Sequence, residues 1–176
     1  MFMIDESHLL AGDLTGYAWG NSDKRIEIPL KNPKERQTYY GALDYLTKEF
    51  IVAAYESGNT ENTLLFLKEL IRRRPEQKLT IFWDGASYHR SEKVRAYLES
   101  LNHGLKKEEW RITCVRFAPN APEQNPVEDI WLQAKNFVRS FYSMCCSFKV
   151  MKWLFEFFLE GQVFDFPKID EYGIFT

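Results

Sequence analysis

The hydrophobic pattern of this chain changes period part-way along, and that change limits the folds open to it. The first half reads as strands. Phe2 to Ile4 is a short apolar run reaching Asp5, and Arg25 to Leu30 (RIEIPL) alternates apolar and polar residues. Thr38 to Tyr45 and Glu49 to Tyr55 are β-rich runs separated by a short polar turn, which predicts an antiparallel meander. Helix and strand then alternate. Thr60 to Arg73 predicts a helix capped by Asn59 or Thr60, with Leu64, Leu67 and Ile71 on one face. Leu79 to Trp83 is a short apolar strand ending at Asp84. Ser91 is placed to cap a helix in which Val94, Tyr97, Leu98 and Leu101 follow i, i+3, i+4, i+7. Ile112 to Phe117 is another strand. After a Pro-rich loop, Asn125 and Pro126 occupy the N-cap and N1 positions of a long helix. A last helix, about Phe148 to Glu160, precedes a tail without clear regular structure. Strands first, then alternating helix and strand, predict an α/β fold: a mixed sheet with helices on its faces.

Composition excludes more than it selects. At 176 residues the chain has the length of one domain, and 45% hydrophobic residues supply an ample core. The net charge of -2 gives no overall basic signature of nucleic-acid binding. Its distribution is uneven, however. From Lys68 to Arg111 there are 11 Lys or Arg against 7 Asp or Glu, whereas from Glu156 onward five acids face only Lys168. The three cysteines, two of them adjacent, fit neither a disulfide framework nor a zinc site and point to a reducing, intracellular setting. MFMIDESHLL lacks the basic leader and apolar run of a signal peptide. Phe148 to Leu159 is too short and too charged to span a bilayer.

Three carboxylates interrupt this pattern where chemistry is expected. Asp5 is read as ending the first strand and Asp84 as ending a later one, the positions at which ligand groups gather in α/β sheets. Gly85 allows the backbone to turn sharply after Asp84. Glu128 sits early in the helix opened by Asn125 and Pro126, at the edge of a predicted buried stripe of Val127, Ile130, Trp131, Ala134 and Val138. Lys135 and Arg139 follow on the same side, where they could meet a phosphate backbone. Glu6 and Asp13 compete with Asp5, and Asp129 with Glu128, although Asp129 points about 100° away around the helix. Converging carboxylates repel one another, and divalent metal relieves that repulsion. Two such ions, ~4 Å apart, can hold the attacking and leaving oxygens of a phosphoryl transfer. Each acid alone also has a structural reading, as a helix cap or macrodipole partner.

The stretch VRFAPNAPEQNPVEDIWLQAK resembles the last catalytic motif of the mariner-like superfamily of DDE transposases, Asn-Pro-(Ile/Val)-Glu-x-x-Trp. The match falls on Asn125, Pro126, Val127, Glu128 and Trp131. IFWDGASYHRSEKVRAYL is similar to the middle motif and FMIDESHL to the first, with GYAWG and YYGAL extending the likeness over roughly residues 2 to 140. The resemblance implies a ribonuclease-H-like mixed sheet flanked by helices, forming one catalytic domain over 1–176, with a core about 2–142 and a C-terminal helix and tail 147–176. Asp5, Asp84 and Glu128 would be both catalytic residues and ligands of two Mg²⁺ or Mn²⁺ ions. His89 and Asn125 would support them, His89 through hydrogen bonds rather than as a ligand. Lys135, Arg139, Arg90 and Lys93 are the expected DNA contacts.

The implied activity is cleavage of DNA at the ends of a mobile element, followed by attack of the freed 3′-hydroxyl on target DNA. A homodimer is expected, because two element ends must meet. Between Asp84 and Glu128 lie 43 residues, longer than is typical of the mariner branch, with the extra length expected around Leu101 to Glu109. That interval points to a bacterial insertion-sequence branch, acting in the cytoplasm at the nucleoid. The helix-turn-helix that reads element ends would have to be supplied separately. Two other readings share these residues: a catalytically silent, transposase-derived binding domain, and a nuclease acting on RNA or hybrids. Trp19, Tyr88 and Trp131 could stack on unpaired bases, but all three read more naturally as core, Trp131 most of all.

Overall fold

A computed structural model describes residues 1–15, 23, 34–118 and 124–166. Five strands form one sheet: β1 (Phe2–Leu10), β2 (Arg36–Asp44), β3 (Phe50–Tyr55), β4 (Leu79–Trp83) and β5 (Ile112–Arg116). Four helices accompany them: α1 (Thr60–Arg73), α2 (Glu92–Asn102), α3 (Pro126–Ser140) and α4 (Phe148–Leu159). The strand order is β3-β2-β1-β4-β5. The meander β1-β2-β3 is antiparallel, whereas β1 pairs parallel with β4, and β4 with β5. The RIEIPL strand expected over 25–30, Trp19, GYAWG and part of the Pro-rich loop lie outside the described residues.

Burial on both faces explains the apolar run of β4 and that of the first three residues of β1. Successive side chains of a strand alternate faces. Phe2 and Ile4 of β1 join Ile81 of β4 beneath α1 and α2, with Phe66, Leu67, Leu70 and Val94. Met3 and Leu9 face the other way, into a core built with Val127, Ile130, Trp131, Ala134 and Val138 of α3 and Met151, Leu154 and Phe155 of α4. The α3 stripe is the one its sequence predicts. In α1 the deeply buried side is Thr63, Phe66, Leu67 and Leu70, with Leu64 and Ile71 on its flank. The helix is therefore rotated from the expected face, because Phe66 carries more apolar surface than Leu64. Each helix begins at a polar cap: Asn59, Ser91, Asn125 and Ser147 accept from backbone N–H groups of their first turns, a contact worth about 1 kcal/mol at such positions.

Two boundaries differ from expectation. β1 does not stop at Asp5 but runs to Leu10, because it stays paired with β2 over its whole length while its pairing with β4 covers only Phe2 and Met3. After α4, the chain is not wholly irregular: Val163 bridges Glu49, the Phe50 N–H donates to the Gln162 carbonyl at 3.2 Å, and the Phe164 N–H to that of Lys48 at 2.9 Å. Leu101 to Glu109, expected to hold the extra length between Asp84 and Glu128, is mostly exposed and comprises the end of α2, a turn at Gly104 and a short 3-10 turn, Lys107–Glu109.

Gly41 of β2 stands directly across from Asp5. A Cβ there would lie 2.4 Å from Phe50 Cζ and 2.5 Å from Trp131 Cζ2, far inside contact distance. The missing side chain is what lets the Trp131 indole approach the β2 backbone so closely. Gly41→Ala is expected to lower the unfolding free energy in urea by roughly 1–3 kcal/mol, as overpacked cores do. Gly12→Ala, where nothing lies within 4 Å, serves as control. Equal midpoints for the two variants would refute this account of Gly41.

Candidate active site

The site lies where β1 loses its parallel neighbour. Continued beyond Met3, the β1–β4 register sets Asp5 level with Asp84, the first residue after β4. Alternation along β1 places Asp5 on the α3 side and Glu6 on the α1–α2 side. Asp5 is partly buried, and the Trp131 indole N–H donates to its Oδ2 at 3.1 Å. Trp131 is thus both core, as expected, and a direct partner of the carboxylate. Asn125 does two jobs. Its Oδ1 accepts from the Val127 N–H at 3.3 Å, capping α3, and its Nδ2 donates to the Ile4 carbonyl at 3.5 Å. The helix start carrying Glu128 is thereby tied to the strand residue that precedes Asp5.

Around Asp84 the backbone turns through Gly85 into a short 3-10 turn, Ser87–Arg90, that buries His89. The His89 ring stacks on Trp83 at 4.5 Å. Its Nδ1 lies 2.9 Å from Asp84 Oδ1 and its Nε2 3.0 Å from Glu6 Oε1. The Tyr88 hydroxyl donates to Glu6 Oε2 at 3.0 Å, and the Asp84 Oδ1 also accepts from the Ala86 N–H at 2.9 Å. Glu6 therefore has both oxygens occupied on the face away from α3. The sequence signal for this cluster was available in the pair Asp5-Glu6 and in His89, but nothing in the spacing links Glu6 to His89.

Electrostatics follow from this packing. Burial, then the negative charges of Glu6, Glu128 and Asp84, push the Asp5 carboxyl well above its ordinary value, and the Trp131 hydrogen bond only partly opposes them. Asp84 is held below its usual range by the His89 hydrogen bond, against its partial burial. Burial works against a charge on His89, yet its hydrogen bonds to Asp84 and Glu6 outweigh burial and hold the imidazolium up to about 9. Glu6, Asp84 and His89 each offer a ligand atom within 4.8 Å of one another, but an imidazole that donates from both nitrogens has no lone pair for a metal. Asp5, Asp84 and Glu128 present only oxygen donors, the type that Mg²⁺ and Mn²⁺ prefer.

The structure does not bring every expected residue here. Asp13 lies in the 3-10 turn Ala11–Leu14 that follows β1, where its Oδ2 accepts from the Leu10 N–H at 2.9 Å and meets Lys135 Nζ at 3.3 Å. Arg139 donates to the Asp13 carbonyl at 2.8 Å and to Asn136 Oδ1 at 2.8 Å. Lys135 and Arg139 are thus turned to the domain itself rather than outward beside Glu128, because Asp13 stands within their reach. Lys93 pairs with Glu61 of α1 at 2.7 Å, both exposed, and Arg90 is exposed at the end of the turn that carries His89. Asp129 is partly buried on the flank of α3, while Glu128 is exposed. No helix is long and apolar enough to cross a membrane among the described residues.

The mixed sheet, its two helical layers and an acid cluster at the parallel-antiparallel junction define a ribonuclease-H-like domain. Residues 1–147 match the family described as DDE superfamily endonuclease, and the chain belongs to that family. Among solved structures it is similar to the Mos1 transposase in its paired-end complex with the left transposon end (TM-score 0.56, 19% identity, covering 92% of this chain and 48% of that one). It is similar also to the Mos1 strand transfer complex (0.58, 18%, 97% and 51%), and to the HTLV-2 integrase catalytic core domain in complex with magnesium, trimeric form (0.55, 12%, 90% and 80%). At these identities the likeness is one of fold. The chain spans about half the length of the Mos1 chains it matches. No curated protein matches it in sequence.

A carboxyl raised by folding weakens the fold once it ionises. Between its unfolded value and its raised folded value, the native state holds a proton that the unfolded chain has released, so stability falls as pH rises through that window. Asp5→Asn removes the charge and keeps an oxygen for the Trp131 N–H. In metal-free buffer at neutral pH the variant is expected to melt above wild type, by ~2–4 °C for each 1 kcal/mol relieved in a domain of this size. The difference should vanish at acid pH below the ordinary carboxylate range. A variant melting at or below wild type at neutral pH would contradict the strain assigned to Asp5.

Proposed function

We propose that this domain is the catalytic part of a DNA transposase, with Asp5, Asp84 and Glu128 as the residues that hold two Mg²⁺ or Mn²⁺ ions. The observation that carries the reading is the approach of Asp84 and Glu128 to Asp5, from three separate elements, close enough for their negative charges to help push the Asp5 carboxyl up. A cluster of hard oxygen donors that meet in this way suits divalent cations. When bound, such ions activate the attacking oxygen and neutralise charge on the phosphoryl group. The chain's own residues prepare the donors. Trp131 fixes one oxygen of Asp5 through its indole N–H. Glu6 and His89 hold Asp84 from behind, with His89 acting through hydrogen bonds. Asn125 sets the start of α3 against β1 and so fixes the height of Glu128 over Asp5.

The substrates in this reading are element ends and target DNA, cut and joined through a 3′-hydroxyl. The Mos1 complexes with a transposon end and after strand transfer, and the magnesium-bound integrase core, support it by likeness of fold. Arg90 and Lys93 are the proposed phosphate contacts, since an exposed Lys93–Glu61 pair is weakly held and readily exchanged for phosphate. Lys135 and Arg139 could contribute only by leaving Asp13. A separate helix-turn-helix domain would read the ends, two copies would pair them, and a bacterial, nucleoid-associated cytoplasmic setting suits three free cysteines.

Calorimetric titration of Mn²⁺, with short duplex DNA present, tests the reading. Wild type is expected to bind saturably, and Asp84→Asn and Glu128→Gln each about tenfold or more weakly, a loss of ~1.4 kcal/mol or more. Nicking of duplex DNA should fall with binding, and an RNA–DNA hybrid should be cut less well than DNA. Absence of binding in all three proteins would leave a catalytically silent descendant.

A further inference from the structure

Beyond the family stretch, which ends at residue 147, α4 carries a feature that the catalytic site does not use. Its inner side is buried through Met151, Leu154, Phe155 and Leu159. Its outer side, which a core helix would normally make polar, shows Trp153 and Phe157 at 57% and 59% exposure. The two rings stack at 5.5 Å. The apolar surface continues onto α3, where Phe137 lies 6.5 Å from Phe157 and 4.9 Å from the exposed Phe141. Stacked, solvent-facing aromatics of this extent mark an interaction surface.

The charges beside these rings identify the occupant. Along the exposed stripe the order is Lys149, Trp153, Phe157, Glu160: a cation, two aromatics and an anion. At helical pitch the four fall within a sector of about 80°, and Lys149 and Glu160 stand ~16 Å apart. Neither has an ion pair among the described residues. Lys152 and Glu156, on the inner flank, are instead turned to the domain, bonded to Gln37 at 2.6 Å and to the Tyr39 hydroxyl at 2.8 Å. A stripe that runs from positive to negative with its apolar part at the centre is complementary to itself when reversed. We propose that α4 is a homodimer interface, in which two copies of this helix pack their outer faces antiparallel about a two-fold axis that crosses the stripe at the height of Phe155. The rotation sets Trp153 over Phe157 of the second copy, and brings Lys149 to within one residue of Glu160 of the second copy at each end. This is an isologous contact, closed by its own symmetry. It stands apart from the metal site and holds whether or not that site is active.

Sedimentation velocity on the whole chain at low salt, over the micromolar to millimolar range, tests the pairing, with circular dichroism to confirm folding of each variant. Wild type is expected to form a dimer. Trp153→Ser with Phe157→Ser should weaken it by about tenfold or more. Lys149→Glu and Glu160→Lys should each weaken it, and the double variant Lys149→Glu/Glu160→Lys should restore it, because the exchange rebuilds both ion pairs across the axis. A monomeric wild type overturns the proposal, including the case in which truncation after Asp165 releases a dimer, since the chain's own tail would then be the occupant. So does a dimer indifferent to the serine variants, or one that the charge exchange fails to restore.

Discussion

The carboxyl of Asp5 is placed where a carboxylate is least at ease, in the middle of a strand, against the interior on one side and near three other acids. Much of the surrounding structure keeps it there. The Trp131 indole donates to it, and that ring can lie on the sheet because Gly41, across the strand, has no side chain. Asn125 ties α3 to the carbonyl of the residue before it. On the opposite face, Glu6 and Asp84 share His89 as a common donor, so that one buried imidazolium offsets charge without entering the cluster. The local cost is met by aromatic packing and helix capping that extend well beyond the site.

This arrangement divides two neighbouring acids between two tasks. Asp5 and Glu6 are adjacent, yet strand alternation sends one to α3 and the other to the layer of α1 and α2. Only Asp5 can join Glu128. Glu6 serves Asp84 instead, through His89, with Tyr88 holding its second oxygen. A pair of acids in sequence thereby becomes one carboxylate facing α3 and one buttress behind Asp84.

The sequence was most informative where a single period dominates. The buried stripe of α3, the caps Ser91 and Asn125, and the strand Leu79–Trp83 follow from spacing alone. The extent of β1 did not, because its second half is held by an antiparallel partner whose register no local pattern records. The face of α1 was displaced for a similar reason: the choice between Leu64 and Phe66 is made by the sheet beneath. At the site, Asp5 and Asp84 stand out in the sequence as interruptions of apolar runs, and Glu128 as an acid at the edge of the α3 stripe. The Glu6–His89 contact was not, since it joins residues distant in sequence and each has an ordinary local reading. Lys135 and Arg139 were read as facing outward beside Glu128, but Asp13, which engages them, belongs to a turn after β1 that periodicity does not reach.

β1 is paired with β2 along nine residues and with β4 along two. The hairpin that contains Asp5 pairs residues 26 to 42 apart in sequence, whereas the parallel edge and α3 depend on contacts more distant still, which form more slowly. Asp5, Asp84 and Glu128 belong to three stretches that meet only when the last of these contacts is made. A chain still emerging from the ribosome, or one partly unfolded, can hold the hairpin intact and yet have no assembled acid cluster. The topology thus works as a safety catch: the assembled acid cluster and the completed fold arrive together.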